Sequence, residues 1–212
     1  MMTTATEIND PRRITVGVTG PTGAGKSTLR LLTNRLGFVW LDSDITAREI
    51  VMPGMPALTE LAGYFGEDII RPDGSLDRAL LAARAFPTRE GCEMLNTITH
   101  PRVKERLREL SRQAFAQGKH VVIDAPLLFE SGVDAQCDEV IAVLAPLELR
   151  MARIMLRDGL TREQALARIN AQQPDDYYAE RSGYTIYNDG GTAEFLSSAQ
   201  TIFGEILHKH MN

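Results

Sequence analysis

The 212-residue chain is poor in cysteine and in positive charge. Its two cysteines, Cys92 and Cys137, have no metal-ligand spacing and cannot make a disulfide framework, so we expect reduced, packed thiols. The net charge is −5, whereas nucleic-acid-binding proteins usually carry a basic surface that neutralises phosphates. Internal repeats and low-complexity tracts are also missing. We therefore expect a globular protein with no nucleic-acid partner.

A long apolar run is missing from the start of the chain. Residues 1–13 are polar and hold no stretch long enough for a signal peptide or a membrane span. We expect them to be a short disordered leader on a cytoplasmic protein with no membrane partner. The 43% apolar content suffices for an ordinary packed core, in one domain with insertions or in two small domains. We expect a monomer or a small homo-oligomer.

One motif near the start of the chain carries specific chemistry. Residues 20–27, GPTGAGKS, match the phosphate-loop pattern G-x-x-x-x-G-K-[ST], between a predicted strand at residues 14–19 and a helix-like segment at residues 28–36. The glycines let backbone N–H groups turn inward around a polyphosphate, Lys26 adds a charge at the β- and γ-phosphates, and the Ser27 hydroxyl is placed to ligate Mg²⁺. The flanking elements argue against a glycine-rich turn without a ligand. We predict a nucleoside triphosphate site formed by Gly20, Gly23, Ala24, Gly25, Lys26, Ser27 and Thr28.

Four further short apolar runs alternate with helical patterns and predict strands at residues 38–41, 119–124, 139–144 and 184–187. Apolar runs without polar alternation indicate strands buried on both faces, so the fold class is α/β, a five-stranded parallel sheet flanked by helices. The nucleotide-binding core would comprise residues 14–52, 119–145 and 182–212. Two excursions leave it: a helical insertion at residues 53–118, a candidate substrate-side domain, and a charged helical segment at residues 146–181.

Acidic residues follow two of the predicted strands, at the sheet edge where ligands bind in open α/β sheets. Asp42-Ser43-Asp44 could supply a base that accepts a proton from an attacking hydroxyl, or a helix N-cap. The roles can coexist, with Asp42 or Ser43 capping and Asp44 projecting into the site. Asp124 fits the acidic residue that holds the Mg²⁺ water shell in phosphate-loop enzymes, although an apolar strand that ends in Asp is common.

Basic residues in the second excursion fall on one predicted helix face. Arg150, Arg153 and Arg157 are spaced by three and four, and could close over a transferring phosphoryl group. A solvated basic face is the ordinary alternative, but a triphosphate site nearby favours a lid at residues 146–181. His100, before Pro101, could help to bind a substrate, although a lone histidine at the start of a helix is more often structural.

From Ile14 to about Asn188 the chain resembles the dephospho-CoA kinases of coenzyme A biosynthesis. The resemblance combines the early phosphate loop with a series of segments in the order and spacing of that family, each weak alone. These segments are Asp42-Ser43-Asp44, Ala47-Arg48, residues 53–58, Phe65-Gly66, residues 73–78, His100-Pro101, residues 126–130, Arg153, residues 157–161, residues 167–172 and Asn188.

The resemblance implies that the γ-phosphoryl of ATP is transferred to the ribose 3′-hydroxyl of dephospho-CoA, giving CoA and ADP, with Mg²⁺ as the metal. By the same resemblance Asp44 is the base, Lys26 and Arg153 contact the transferring phosphoryl group, and Arg157 belongs to the lid. Asn188 would lie near the adenine of ATP, and the helical insertion would hold the acceptor. The positions implied in acceptor binding are Asp42, Arg78, His100, Pro126 and Leu127.

Two departures from the family pattern and two rival functions remain. Pro21 and Thr22 replace a glycine and an apolar residue of the usual loop, and Ser182-Gly183 replaces Ala-Asp before the last strand. A nucleoside or nucleoside-monophosphate kinase shares the loop, the sheet and an arginine lid, but we find no acceptor motif of such a kinase. A nucleotide-controlled switch is the other rival, and the chain has no guanine-reading Asn-Lys-x-Asp segment.

Overall fold

A computed structural model of the protein describes residues 12–211, so residues 1–11 of the expected leader lie outside the described residues. Arg12, which the sequence analysis also assigned to the leader, donates a hydrogen bond to Asp138 at 2.8 Å. None of the helices within residues 12–211 combines the length and the apolar content that a membrane crossing requires.

A five-stranded sheet forms the centre of the molecule. Its strands are β1 (Thr15–Thr19), β2 (Phe38–Asp42), β3 (His120–Asp124), β4 (Glu139–Leu144) and β5 (Tyr184–Tyr187). All neighbouring strands are parallel, in the order β2-β3-β1-β4-β5. The predicted five-stranded parallel sheet is therefore confirmed, and the strand bounds differ from the predicted ones by at most one residue at either end.

Nine α-helices within residues 12–211 surround the sheet. They are α1 (Leu29–Arg35), α2 (Ser43–Glu49), α3 (Pro56–Phe65), α4 (Arg78–Ala85), α5 (Arg89–Ala116), α6 (Leu147–Asp158), α7 (Arg162–Asn170), α8 (Asp175–Ala179) and α9 (Thr192–Met211). Short 3₁₀ turns occur at Lys26–Thr28, Glu67–Ile69 and Asp134–Gln136. The helices α3 to α5 fall within the predicted insertion, and α6 to α8 fall within the predicted lid.

Both faces of the sheet are covered, which explains why its strands read as continuous apolar runs. Alternate side chains of a strand point to opposite faces. In β3, Val121 and Ile123 belong to a core shared with helices α2 to α5, whereas Val122 belongs to a second core. That second core includes Phe203 of α9 and Leu29 of α1. The five strands are therefore sandwiched between two helical layers.

The helix α5 corrects one expectation about His100 and Pro101. Proline favours the first turn of a helix, so the sequence placed a helix start there. Instead both residues lie in the interior of this 28-residue helix. A proline inside a helix costs about 3 kcal/mol relative to alanine. The packing of α5 against α2, α3, α4 and β3 offsets this local preference.

The sheet brings the predicted functional segments to one edge. The phosphate loop follows the carboxyl end of β1, Asp42 ends β2, and Asp124 ends β3. Asp42 and Asp124 are direct neighbours in the register of these two strands. Asn188 follows β5, and its backbone N–H donates to Leu144 O at the end of β4, 2.7 Å away. The chain thus collects the loop, the carboxylates and Asn188 at the edge where parallel sheets bind ligands.

Candidate active site

A cleft of about 730 Å³ opens at this carboxyl edge. Most of the residues predicted for the site line it, namely Gly23, Gly25, Lys26, Ser27, Thr28, Asp42, Asp44, Asp124, Pro126, Leu127, Arg153, Arg157 and Asn188. Gly20 and Ala24 shape the loop without lining the cleft. Arg78 and His100 do not line it either, so their part in acceptor binding stays a prediction.

Two glycines of the phosphate loop are required by close backbone approach. Gly20 has φ +129°, and a Cβ atom there would lie 2.1 Å from Val143 O. Gly25 has φ +98°, and a Cβ atom there would lie 2.2 Å from Asn188 Nδ2. A side chain at either position would collide with β4 or with the residue after β5. The glycines therefore let the loop pack tightly against the strand ends.

Lys26 lies within the curve of the loop. Its Nζ donates to Gly20 O at 2.6 Å and to Pro21 O at 3.3 Å. Burial lowers the pKa of Lys26, while the negative charges of Asp124 and Asp44 act in the opposite direction. A partly desolvated cation that faces two carboxylates is placed to interact strongly with a phosphate group, because the low local dielectric weakens screening.

The Asp-Ser-Asp segment divides into a cap and a cleft-facing acid. Asp42 Oδ1 accepts hydrogen bonds from the backbone N–H groups of Asp44 at 2.8 Å and Ile45 at 3.1 Å, so Asp42 is the N-cap of α2. Asp44 lies in the first helical turn and lines the cleft. Although Asp44 as a residue is exposed, partial burial of its carboxyl group, and then the Asp42 charge, raises its pKa. Of the two carboxylates, only that of Asp42 is engaged as a helix cap.

Asp124 is a half-buried acid with one buried carboxylate oxygen that accepts no hydrogen bond from residues 12–211. Its Oδ1 has no hydrogen-bond partner among the described residues. Burial raises the pKa of Asp124 to about 6, opposed by the charge of Lys26. A buried carboxylate oxygen without a donor is costly, and a bound cation or its water shell would satisfy it. Ser27, in the 3₁₀ turn after the loop, lines the same cleft.

These two residues fit Mg²⁺ rather than a metal held by the protein alone. Among residues 12–211, no group of three or more His, Cys, Asp or Glu side chains is placed to hold a metal ion. Mg²⁺ prefers oxygen ligands, keeps several waters and is usually bound by one or two protein groups together with substrate phosphates. The carboxylate of Asp124 and the hydroxyl of Ser27 meet that requirement.

Arg153 and Asn188 hold the phosphate loop through hydrogen bonds to its backbone carbonyl groups. Arg153 Nη1 donates to Gly23 O at 3.1 Å and to Ala24 O at 3.3 Å, and its Nη2 donates to Asn188 Oδ1 at 3.2 Å. Asn188 is buried, and its Nδ2 donates to Ala24 O at 2.8 Å. The guanidinium of Arg153 is thus held at the loop, within the cleft. An additional role of Asn188 at adenine stays a prediction.

Arg150 departs from the arginine face that the spacing predicted. It is only 5% exposed, and its Nε donates to Thr22 O at 3.2 Å. Its Nη1 forms an ion pair with Asp175 of α8 at 2.9 Å. Arg150 does not line the cleft, so its interpretation as a residue that closes over a phosphoryl group is wrong. It ties the phosphate loop to helices α6 and α8 instead.

Two polar residues of α7 and its end also line the cleft, and sequence reasoning gave them no role. Arg168 pairs with Asp158 at 2.7 Å, and Asp158 also pairs with Arg157 at 2.8 Å. Gln172 Oε1 accepts the backbone N–H of Thr22 at 2.8 Å. The available signal was that both lie in residues 167–172, one of the segments that carry the family resemblance.

Comparison with known proteins gives consistent matches. The family model described as dephospho-CoA kinase matches residues 14–194. A dephospho-CoA kinase from Corynebacterium glutamicum is 42% identical over 195 residues, which cover 92% of this chain and 98% of that protein. A crystal structure from Thermus thermophilus has a TM-score of 0.77 at 32% identity, covering 92% of this chain and 98% of that one. A dephospho-CoA kinase from Campylobacter jejuni has a TM-score of 0.70 at 27% identity, covering 94% and 100% of the two chains.

Proposed function

The chain belongs to the dephospho-CoA kinase family, and we propose that its cleft performs the family's reaction with Asp44 as base and Lys26 as the principal phosphate contact. The enzyme transfers the γ-phosphoryl group of ATP to the ribose 3′-hydroxyl of dephospho-CoA, giving CoA and ADP. The observation that supports the residue roles best is the convergence of Lys26, Asp44 and Asp124 on one cleft.

Asp44 removes the proton from the attacking hydroxyl group. The 3′-oxygen forms a bond to the γ-phosphorus while the bond from that phosphorus to the β,γ-bridging oxygen breaks, and ADP leaves. The proton passes to the Asp44 carboxylate. The partial burial that raises the pKa of this carboxyl makes it a stronger base than an exposed aspartate, and Asp42 leaves it free by capping α2.

Lys26, Arg153 and Arg157 stabilise the negative charge that spreads over the transferring group. Lys26 exchanges its contacts with the loop carbonyls for the β- and γ-phosphates. Arg153 acts from the position in which Gly23 O and Asn188 hold it. Arg157 is tied to Asp158 on the exposed side of α6, and it approaches when the lid, residues 146–181, closes. Preorganised cations of this kind supply most of the catalysis in phosphoryl transfer.

We further propose that Ser27 and Asp124 hold Mg²⁺ beside the triphosphate. When bound, the ion would neutralise negative charge on the triphosphate and on the transferring group. The unpartnered Asp124 Oδ1 supports this assignment. Asp124 and Ser27 would orient the ion, while Asp42 orders the α2 start beside it.

The remaining assignments concern the rest of the chain. We propose that residues 53–118 form the acceptor-binding insertion, with Pro126 and Leu127 at the cleft wall next to the ribose. The nucleotide core comprises residues 14–52, 119–145 and 182–212. The protein would work in the cytoplasm, as a monomer or a small homo-oligomer.

An acceptor panel tests this function. The purified protein is incubated with ATP, Mg²⁺ and either dephospho-CoA, adenosine, AMP, cytidine or uridine, and the products are analysed by mass spectrometry. We expect phosphorylation of dephospho-CoA with a kcat/KM well above that of every other acceptor. Preference for a nucleoside or a nucleoside monophosphate would contradict the acceptor, and triphosphate binding without transfer to any acceptor would favour a nucleotide-controlled switch.

A further inference from the structure

Side chains from residues 146–181 hold both backbone polar groups of Thr22 in the phosphate loop. Thr22 O accepts a hydrogen bond from Arg150 Nε at 3.2 Å, and Thr22 N–H donates to Gln172 Oε1 at 2.8 Å. Arg150 belongs to α6, and Gln172 follows the end of α7. The peptide units before and after Thr22 are planar, so its φ and ψ are the only soft dihedrals between them. Holding one group of each peptide unit therefore fixes the backbone conformation of Thr22.

The hydrogen bond to Thr22 O also sets the direction of the Gly23 N–H group. The peptide bond between the two residues is trans, and in a trans peptide the C=O and N–H groups point in opposite directions. Thr22 O points towards Arg150, which is buried and does not line the cleft, whereas Gly23 lines it. Gly23 N–H therefore points to the cleft side of the loop. Within residues 12–211 it donates to no acceptor, so it can donate to a phosphate oxygen.

Arg150 is anchored in this position by two further contacts. Its Nη1 forms an ion pair with Asp175 of α8 at 2.9 Å, so one guanidinium group bridges the loop and α8. The planar fork of arginine presents several donors in a fixed geometry, whereas lysine has a single flexible ammonium group. The backbone of α6 also lies against the loop here, since a Cβ atom on Gly23 would lie 2.7 Å from Arg150 O. Arg150 is therefore held where its Nε meets Thr22 O.

We propose that Arg150 and Gln172 are positioning residues for the nucleotide, which hold Thr22 by its C=O and N–H groups and so aim the Gly23 N–H group at a phosphate oxygen of ATP. This inference rests on the proposed function, because it takes a triphosphate as the ligand of the loop. Backbone N–H groups that face an anion bind it more tightly when they are oriented beforehand. The two residues therefore act on nucleotide binding and leave the chemical step to the groups that touch the transferring phosphoryl.

Three variants test the two hydrogen bonds, and a fourth is the matched control. Arg150→Met keeps an unbranched side chain and removes the donors, Arg150→Lys keeps the charge, and Gln172→Met removes the acceptor without a change in charge. The control is Arg162→Met, on an exposed arginine of α7 that pairs with Glu148 of α6 at 3.1 Å and does not line the cleft. It removes an ion pair from the same segment without a contact to the loop.

The first measurement separates nucleotide binding from the chemical step. The Kd for ATP is determined by calorimetric titration without an acceptor, well below the melting temperature of each variant, and kcat is determined at saturating ATP and dephospho-CoA. We expect Arg150→Met and Gln172→Met each to raise the Kd about 10-fold, because a hydrogen bond to a charged group is misdirected. Their kcat should stay within about threefold of wild type, and both values of Arg162→Met within about twofold. Arg150→Lys should lie between wild type and Arg150→Met.

The second measurement observes the peptide unit itself. The pair Thr-Gly occurs only at residues 19–20 and 22–23. Protein labelled with ¹³C at the threonine carbonyl and ¹⁵N at glycine therefore gives two signals in a carbonyl-to-amide correlation spectrum. We expect Arg150→Met to change the carbonyl shift of Thr22 while that of Thr19 stays at its wild-type value. ATP should move the Gly23 amide proton downfield in wild type, and this movement should be smaller in Arg150→Met and in Gln172→Met.

The outcomes separate this inference from the proposed function. If wild type binds ATP and both methionine variants at positions 150 and 172 keep its Kd, the inference is overturned while the function stands. An equal rise of the Kd in Arg162→Met would also overturn it, because the loss would then follow from any weakening of the segment. So would full recovery of the Kd in Arg150→Lys with the Thr22 carbonyl shift still altered, because charge alone would then suffice. Should Arg150→Met fail to fold, Gln172→Met decides. If wild type neither binds ATP nor phosphorylates dephospho-CoA, the proposed function itself fails.

Discussion

Replacing Asp44 by asparagine tests its proposed role as the base. The other acid of the Asp-Ser-Asp segment, Asp42, caps α2 instead. Asparagine cannot accept the proton of the attacking hydroxyl at neutral pH. Loss of a general base typically costs about 10²- to 10⁴-fold in rate, which corresponds to about 2.7 to 5.5 kcal/mol of transition-state free energy. We expect a fall of at least about 100-fold in the kcat of Asp44→Asn.

The effect on the fold should be small by comparison. Asp44 lines the cleft in the first turn of α2 and does not provide the cap. An acidic side chain at that place contributes about 0.3 to 1 kcal/mol through the helix dipole. In a chain of this size, that corresponds to a fall in melting temperature of about 1 to 4 °C. Binding of ATP, measured by calorimetric titration, should remain near the wild-type value.

Asp42→Asn is the matched control. Asp42 Oδ1 caps α2 through the N–H groups of Asp44 and Ile45, and asparagine caps a helix about as well as aspartate. Its kcat should therefore fall much less than that of Asp44→Asn in an assay that follows ADP release at saturating ATP and dephospho-CoA. If Asp42→Asn loses activity while Asp44→Asn keeps it, the assignment within the pair is reversed. If both variants stay active, neither carboxylate is the base.

Further outcomes are expected for the other residues of the site. Lys26→Ala should lose more than about nine-tenths of kcat at saturating ATP, and a larger residual activity would show that the phosphate loop does not serve transfer as described. Arg153→Ala should lower kcat about 100-fold or more. Arg150→Ala should instead lower the melting temperature and raise KM for ATP while retaining more kcat, because Arg150 braces Thr22 and Asp175 outside the cleft; equal small losses of kcat in both variants would contradict this division. Because Asp44 and Asp124 must be deprotonated and their folded pKa values are raised, that of Asp124 to about 6, kcat/KM at low Mg²⁺ should fall as the pH drops through about 6. Higher Mg²⁺ should move this acid limb to lower pH by favouring the Asp124 carboxylate, and a profile that does not change with Mg²⁺ would argue against the metal site.

The elements of the sheet could be predicted because each strand is a short apolar run bounded by turn residues and helical patterns. The phosphate loop could be predicted because its chemistry resides in one contiguous motif. The strand order could not, since periodicity reports burial on both faces but not which strands are neighbours. The order β2-β3-β1-β4-β5 is what makes Asp42 and Asp124 direct register neighbours.

The sequence pattern also could not predict how deeply each side chain is buried. The spacing of Arg150, Arg153 and Arg157 predicts one helical side but not how deep each residue lies. Of the three only Arg150 is buried, through its contacts with Thr22 and Asp175. His100 and Pro101 carry a local signal for a helix start that tertiary packing overrides. Arg48 and Arg78 line one surface groove although 30 residues separate them in the sequence, and only the folded chain brings them together.

The central claim is that the γ-phosphoryl group of ATP goes to the ribose 3′-oxygen of dephospho-CoA and that ADP leaves. The most direct test is to incubate the enzyme with ATP, Mg²⁺ and dephospho-CoA, quantify ADP and CoA, and locate the new phosphate by ³¹P and ¹H NMR. We expect one ADP for each CoA, with the new phosphate on the ribose 3′-oxygen. In Asp44→Asn we expect the rate of CoA formation to fall at least about 100-fold. Release of inorganic phosphate without CoA, or a phosphate at another position of the acceptor, would contradict the central claim.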